Sequence, residues 1–208
     1  KLGLSGHRGE HDFELVWKPK ADIIPKGMFF VETDKDWQHG LLMVTPPLDK
    51  RLYEKRHRDI TYIIDTSGSM GGGSISQAKK ALRQALTRLS IADRFNIIAF
   101  NSTASRLFKK AVPATTEAID QADEFIAGLE AFGGTEMMPA LEMALGTTGE
   151  ENNDRLHQIV FITDGAVDQE QKLFKLINNQ LGERRLFTVA IVSAPNAYFM
   201  RKAAQFGR

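Results

Sequence analysis

The sequence predicts an α/β fold in which helices flank a doubly wound, mostly parallel sheet. Short runs of continuous apolar residues alternate with stretches in which apolar residues recur every three or four positions. Continuous apolar runs are typical of parallel strands buried on both faces, and the longer period is typical of helices that pack on a core. Strands and helices that alternate in this way form open sheets with right-handed crossovers.

Each predicted element follows from its own pattern. The predicted strands are ITYIID (60–65), FNIIAF (95–100), QIVFIT (158–163) and LFTVAIV (186–192). The predicted helices carry apolar stripes, namely Ile75, Ala78, Leu82, Ala85, Leu86 and Leu89; Ile119, Ala122, Ile126 and Leu129; Leu173, Phe174, Ile177 and Leu181; and Phe199, Ala203 and Phe206. Ser74 and Gln77 have the spacing of a capping box at the first helix. The charged segment RLFKKAV (106–112) is predicted to be an edge strand.

The N-terminal part of the chain has a different pattern. Apolar and polar residues alternate in HDFELVWK (11–18), which is typical of a half-buried strand. The segments 27–33 and 41–47 predict the two strands of a hairpin, with DKDWQHG (34–40) as the loop. We therefore expect a β-strand, hairpin and linker extension over residues 1–57, followed by the α/β domain over 58–208.

Composition limits the classes of function. The chain has 208 residues, a formal net charge of +1 and no cysteine. This charge predicts no general attraction to nucleic acid, and the absence of cysteine excludes disulfides and thiolate chemistry. No apolar run approaches the length of a membrane helix, so we expect no membrane insertion of this fragment.

Hydroxyl and carboxylate side chains lie at the ends of two predicted strands and in the loop before a predicted helix. Asp65, Ser67 and Ser69 come at the end of the first apolar run of the α/β domain, in YIIDTSGSMGGG. Asp164 ends another run, and Thr135 lies in the glycine-rich FGGTEM before a helix. Ligands of open α/β sheets bind outside the carboxyl ends of the strands, so we expect these five side chains at one edge.

Oxygen ligands of this kind suit a hard divalent cation such as Mg²⁺. Neutral hydroxyls used as direct ligands leave most of the charge of the ion uncompensated. Such an ion attracts an anionic ligand from outside, which makes the site suitable for docking a carboxylate. Taken one at a time, the same residues also suit turns and helix caps, because Asp, Ser and Thr accept backbone N–H bonds there.

The motifs DTSGSM, GGTE and TDG resemble the metal-ion-dependent adhesion site of von Willebrand factor type A domains. The resemblance covers residues 58–208 and implies that Ser67 and Ser69 contact the metal, that Thr135 contacts it in only some states, and that Asp65 and Asp164 bind mainly through water. The flanking LLMVTPP, DRFNIIAFNS and LFTVAIVSAPNAYFMRKAAQFGR are similar to inter-alpha-trypsin inhibitor heavy chains and, more closely, to marine proteobacterial sortase target proteins. Family members normally continue to a last strand and helix, so a C-terminally truncated domain is expected.

The resemblance implies a non-enzymatic adhesion module on a bacterial cell surface or in a secreted protein, in a Gram-negative envelope. It would bind Mg²⁺, with Mn²⁺ or Ca²⁺ as alternatives, and dock a Glu or Asp side chain of a protein partner as a monomer. The alternative is a structural spacer of a sortase-anchored protein whose metal site is incidental.

Enzymatic alternatives are less consistent with the sequence. DTSG also surrounds the catalytic aspartate of aspartic proteases, but these enzymes are β-rich and need a second such motif. A haloacid-dehalogenase-type phosphotransferase needs an acid where Ser67 stands. No histidine is patterned to activate a serine nucleophile.

Overall fold

The protein folds as two compact units that divide between Lys55 and Arg56. A computed structural model describes residues 26–34, 37–45, 56–146, 155–164, 170–191 and 197–206. The predicted strand 11–18 lies outside the described residues. The division of the chain at residues 57 and 58 stays a prediction.

The first unit contains the predicted hairpin. Its strands are β1 (Lys26–Asp34) and β2 (Trp37–Thr45), which pair antiparallel from Lys26 opposite Thr45 to Asp34 opposite Trp37. The expected loop over 34–40 was wrong, because Trp37 to Gly40 belong to β2. Trp has a high strand propensity, and Gln38 and His39 find cross-strand partners in β1, so pairing continues to the end of the hairpin.

The second unit is built on the predicted parallel sheet. Its strands lie in the order β5-β4-β3-β7-β8, and β3, β4, β7 and β8 are parallel. The short strands β5 and β6 both pair antiparallel with β4. The bounds are β3 Arg58–Asp65, β4 Arg94–Phe100, β5 Ala104–Arg106, β6 Val112–Pro113, β7 Leu156–Thr163 and β8 Arg185–Ala190.

Five helices of the described chain pack on this sheet. They are α1 (Gly73–Leu86), α2 (Thr116–Ala127), α3 (Met137–Leu145), α4 (Glu170–Gln180) and α5 (Ala197–Phe206). The predicted stripes are confirmed for α1, α2 and α4, since Leu82, Ile126 and Ile177 are fully buried. None of the helices in the described part of the chain combines the length and apolar character that a membrane crossing requires.

The core lies on both faces of the sheet. Ile63 and Ile98 pack on one side with α3, α4 and α5, whereas Ile64 and Ile97 pack on the other with α1 and α2. Successive residues of a strand point to opposite faces. Burial of both faces therefore explains why the strands are continuous apolar runs.

The predicted edge strand over 106–112 was wrong in part. The structure has two shorter strands instead, β5, which ends at Arg106, and β6, which begins at Val112. The side chain of Asn96 accounts for the interruption. Its amide Nδ2 donates to the carbonyl of Phe108 at 2.8 Å, and its Oδ1 accepts from the N–H of Phe108 at 3.1 Å. The backbone of Phe108 thus bonds to a side chain in place of a ladder partner.

The predicted capping box at Ser74 was also wrong. Helix α1 begins at Gly73, and its N-cap is Gly72, which has a φ of 69° and no side-chain cap. This φ lies in the left-handed region, where glycine is accommodated without strain. Ser74 therefore lies inside the first turn of the helix.

An ion pair between the half-buried Arg58 and the buried carboxylate of Asp93 fixes the start of β3 against the loop before β4. Arg58 Nη2 donates to Asp93 Oδ2 at 2.7 Å, and the Arg58 backbone N–H donates to Asp93 Oδ1 at 2.9 Å. Ser90 donates to Asp93 Oδ2 from its N–H and its hydroxyl. Burial alone raises the pKa of Asp93, but the hydrogen bonds from Arg58 and Ser90 outweigh it and hold the pKa well below its usual range.

We expect Asp93→Ala to lower the free energy of unfolding by about 2 kcal/mol, because it removes the buried acceptor of several half-buried donors of Arg58 and Ser90. Urea denaturation at pH 7 measures this loss. Asp123→Ala is the matched control, since Asp123 pairs with Arg83 on the surface and should contribute about 0.5 kcal/mol. Equal losses of unfolding free energy in the two variants would contradict a special stabilising role for Asp93.

The same contact has a defined pH dependence. The pKa of Asp93 is lower in the folded protein than in the unfolded chain, where it is about 4. The contribution of Asp93 to the free energy of unfolding is therefore complete above that unfolded pKa and is lost as the pH falls towards the folded pKa. The stability difference between wild type and Asp93→Ala should therefore be constant at neutral pH and shrink in acid.

Candidate metal site

The carboxylate of Asp65 lies fully buried at the carboxyl end of β3. It is 0% exposed, and each of its oxygens accepts one hydrogen bond. The N–H of Ser67 donates to Oδ1 at 2.8 Å, and Thr163 Oγ1 donates to Oδ2 at 2.6 Å. A carboxylate has about four lone-pair positions, so acceptor capacity remains on both oxygens.

The electrostatic environment of Asp65 is unfavourable to its charge. Burial raises the pKa of Asp65 above its ordinary value, and the nearby charge of Asp164 raises it further. The hydrogen bonds from Ser67 and Thr163 act in the opposite direction. Among the described residues no Lys, Arg or His forms an ion pair with Asp65. A cation from outside would compensate this buried charge.

Ser67 and Ser69 present their hydroxyls side by side. A 3-10 turn over Gly68–Met70 brings Ser67 Oγ and Ser69 Oγ to 3.0 Å from each other. Ser67 is 1% exposed, whereas Ser69 is open to solvent. Neighbouring ligands of an octahedral ion with bonds of about 2.1 Å lie roughly 3.0 Å apart. The two hydroxyls are hydrogen-bonded to each other, and the same spacing matches that of neighbouring Mg²⁺ or Mn²⁺ ligands.

We call residues 66–70 the serine turn. Thr135 is carried by a segment that is hydrogen-bonded to this turn. We call residues 131–136 the threonine loop. The N–H of Phe132 donates to the carbonyl of Thr66, and the N–H of Gly68 donates to the carbonyl of Gly133, both at 3.0 Å. Gly133 has a φ of 76°, and a Cβ on Gly68 would lie 3.3 Å from the Gly133 carbonyl oxygen. Glycine is thus favoured at both positions, by the tight approach at Gly68 and by the positive φ at Gly133.

The turn between β4 and β5 holds the other side of the threonine loop. We call residues 101–103 the β4–β5 turn. The N–H of Gly134 donates to Ser102 Oγ at 2.8 Å, and the N–H of Glu136 donates to the carbonyl of Asn101 at 2.7 Å. Thr135 lies between these two anchored peptide groups.

Asp164 follows β7 directly and is 9% exposed. Because β3 and β7 are neighbouring parallel strands, Asp164 and Asp65 lie at the same edge of the sheet. The structure therefore brings all five predicted side chains to the carboxyl edge. Their roles as ligands remain a prediction.

Glu136 is the N-cap of α3, which begins at Met137, and it makes no side-chain cap bond. The backbone N–H of Glu136 is already bonded to Asn101, so the residue belongs to the threonine loop.

Sequence reasoning missed the residues that support the site. Thr163 bonds Asp65, Thr66 donates from N–H and Oγ1 to the Phe100 carbonyl, and Ser102 holds the threonine loop. Each lies next to the end of an apolar run, so the strand-end rule that identified Asp65 could have identified them as neighbours. The partner of each side chain is not visible in the sequence.

The donor set is consistent with a hard cation. It consists of hydroxyl and carboxylate oxygens, which Mg²⁺ and Mn²⁺ prefer. Within the described residues no group of three or more His, Asp or Glu side chains is placed to hold a metal. A site at this edge would therefore depend on the serine and threonine hydroxyls, with Asp65 and Asp164 as its acids.

We expect Asp65→Asn to have a metal-free melting temperature equal to or above that of the wild type. Asparagine keeps a carbonyl oxygen for the Ser67 N–H and an amide that can donate to Thr163 Oγ1, and it removes a buried charge. Differential scanning calorimetry in EDTA measures the change, with the surface variant Asp123→Asn as the control.

The melting-temperature difference between Asp65→Asn and the wild type should increase as the pH rises through the raised pKa of Asp65. The reason is that the folded wild type binds the proton more tightly than the unfolded chain, so it loses stability as the proton leaves. A variant that melts below the wild type at neutral pH would show that the hydrogen bonds of the carboxylate outweigh its desolvation.

Known proteins match both the sequence and the fold. Human inter-alpha-trypsin inhibitor heavy chain H4 is 37% identical over 114 residues, covering 52% of this chain and 12% of that protein. A von Willebrand factor A domain-containing protein of Dictyostelium discoideum is 29% identical over 141 residues, covering 67% of this chain and 15% of that protein. The chain thus spans less than a fifth of the length of these curated relatives.

Solved structures agree on the architecture. A von Willebrand factor type A protein from Catenulispora acidiphila superposes with a TM-score of 0.64 at 20% identity, covering 93% of this chain and 46% of that one. Manganese-loaded Plasmodium vivax TRAP superposes with a TM-score of 0.59 at 21% identity, covering 72% of this chain and 63% of that one. The family model for the von Willebrand factor type A domain matches residues 58–208. The chain therefore belongs to the von Willebrand factor type A domain family.

Proposed function

We propose that residues 58–208 bind one divalent cation at the carboxyl edge of the sheet and use it to bind a protein partner. Mg²⁺ is the expected ion, with Mn²⁺ or Ca²⁺ as substitutes. The observation that carries the proposal is the fully buried Asp65 carboxylate beside two hydroxyls 3.0 Å apart. Ser67, Ser69 and Thr135 are the proposed direct ligands, and Asp65 and Asp164 hold the ion through water.

The chemistry of these ligands determines the partner. Hydroxyl ligands are neutral and leave the ion strongly electrophilic, so its outward position favours an anionic oxygen. Ser69 is exposed, which keeps this side of the site open to a macromolecule. The proposed partner supplies a Glu or Asp side chain, and the module is monomeric and non-enzymatic.

The cellular context is proposed from the relatives. The similarity to inter-alpha-trypsin inhibitor heavy chain H4 and the fold similarity to manganese-loaded TRAP support a metal-dependent module of a surface or secreted protein. We place it in the envelope of a Gram-negative bacterium, as part of a sortase target protein, with residues 1–57 as an extension.

The second candidate is a spacer whose metal site is incidental. The two-sided apolar hairpin favours it, since Phe29 and Leu42 on one face and Phe30 and Leu41 on the other are all exposed. A hairpin of this kind suits assembly with neighbouring domains. The two candidates differ in whether partner binding needs the ion.

Metal binding is tested by titrating the full chain with Mn²⁺ and measuring free Mn²⁺ by electron paramagnetic resonance. We expect one bound ion per chain, strong weakening in Ser69→Ala and loss in Asp65→Ala. Ser105→Ala, which removes an exposed hydroxyl from β5, is the matched control and should bind as the wild type does. A wild type that leaves the free Mn²⁺ signal unchanged would refute the site.

Carboxylate docking is tested by linkage. Because an anion bound to the ion stabilises the complex, acetate should raise the apparent affinity for Mn²⁺, whereas chloride at the same ionic strength should not. Binding of envelope or matrix proteins should then be lost in EDTA and in Asp65→Ala. Binding that survives both treatments favours the spacer.

A further inference from the structure

The β4–β5 turn is a rigid support for the threonine loop. It connects strands that pair with Phe100 opposite Ala104, so only residues 101–103 separate them. The N–H of Asn101 donates to the carbonyl of Thr103 at 2.9 Å, and the N–H of Thr103 donates to Asn101 Oδ1 at 3.1 Å. The turn is thus closed by its own hydrogen bonds before it contacts the threonine loop.

Two peptide groups of the threonine loop bond to this turn, and they flank Thr135. The Glu136 N–H bonds to a backbone carbonyl, that of Asn101, and the Gly134 N–H bonds to a side chain, Ser102 Oγ. The second bond can therefore be removed by substitution, while the first is kept.

Ser102 and the glycines of the threonine loop fit closely. A Cβ on Gly133 would lie 2.9 Å from Ser102 Oγ, and a Cβ on Gly134 would lie 3.3 Å from it. The double glycine thus leaves room for the Ser102 hydroxyl to reach the N–H of Gly134, the residue before Thr135.

We propose that Ser102 is a positioning residue for the metal site, which holds Thr135 where its hydroxyl can reach the ion. This inference rests on the proposed function. The threonine loop is tied to the serine turn only through Phe132 and Gly133 among the contacts of the described backbone. Ser102 bonds the next residue, Gly134, and so sets the direction in which the chain enters Thr135.

This role can be separated from a general contribution to stability. Ser102 and Gly134 are both exposed, so water can replace the lost hydrogen bond in Ser102→Ala. The metal-free melting temperature should therefore change little. Affinity for Mn²⁺ should fall, because Thr135 then has to be ordered when the ion binds.

The test is a double-mutant cycle on Mn²⁺ affinity with Ser102→Ala and Thr135→Ala. We expect Ser102→Ala to weaken binding about threefold to tenfold, the range for one hydrogen bond. In a Thr135→Ala background the same change should have no further effect, because the residue that Ser102 positions is already missing. Ser102→Thr keeps the hydroxyl and should bind within about twofold of the wild type.

Thr103→Ala is the matched control, since Thr103 takes part in the turn through its backbone. Equal Mn²⁺ affinity in wild type and Ser102→Ala would overturn the inference and leave the metal site intact. The inference would also be overturned if Ser102→Ala and Thr103→Ala lowered the Mn²⁺ affinity equally. It would likewise be overturned if Ser102→Ala lowered the Mn²⁺ affinity as much in the Thr135→Ala background as in the wild type. A wild type that binds no Mn²⁺ would overturn the proposed function and this inference together.

Discussion

The burial of the Asp65 carboxylate is the constraint on which the candidate site depends. A charge without solvent exposure is costly unless hydrogen bonds and an opposite charge compensate it. The Ser67 N–H and the Thr163 hydroxyl supply the hydrogen bonds, but no cationic side chain among the described residues supplies the charge. The site thus combines a well-oriented anion with an electrostatic deficit that a bound cation would remove.

Hydrogen bonds join the serine turn, the threonine loop and the β4–β5 turn at the carboxyl edge of the sheet. The serine turn bonds to the threonine loop at Thr66 and Gly68, and the β4–β5 turn bonds to the same loop at Gly134 and Glu136. The N–H of Thr66 also donates to the carbonyl of Phe100, the last residue of β4. The position of Thr135 is therefore determined by the ends of two strands that are distant from it in sequence, which explains how the fold brings hydroxyl-bearing residues from separate segments to one edge.

The sequence was sufficient for the features that depend on local pattern. Burial on both faces makes β3 and β7 continuous apolar runs, and the rule that ligands lie at carboxyl ends then places Asp65 and Asp164 correctly at one edge. Features that depend on contacts between distant segments were missed. Asn96 interrupts the edge strand through Phe108, and Ser102 reaches Gly134 across a gap of 32 residues. The start of α1 was misplaced because the backbone of Gly72, without any side chain, forms the cap.

Anomalous diffraction from crystals soaked in MnCl₂ would locate a bound ion without relying on its affinity. We expect one strong manganese peak at the carboxyl edge, within bonding distance of Ser67 Oγ and Ser69 Oγ, and a carboxylate or water on its outward side. An edge with no peak, or a peak bonded to neither serine, would contradict this expectation.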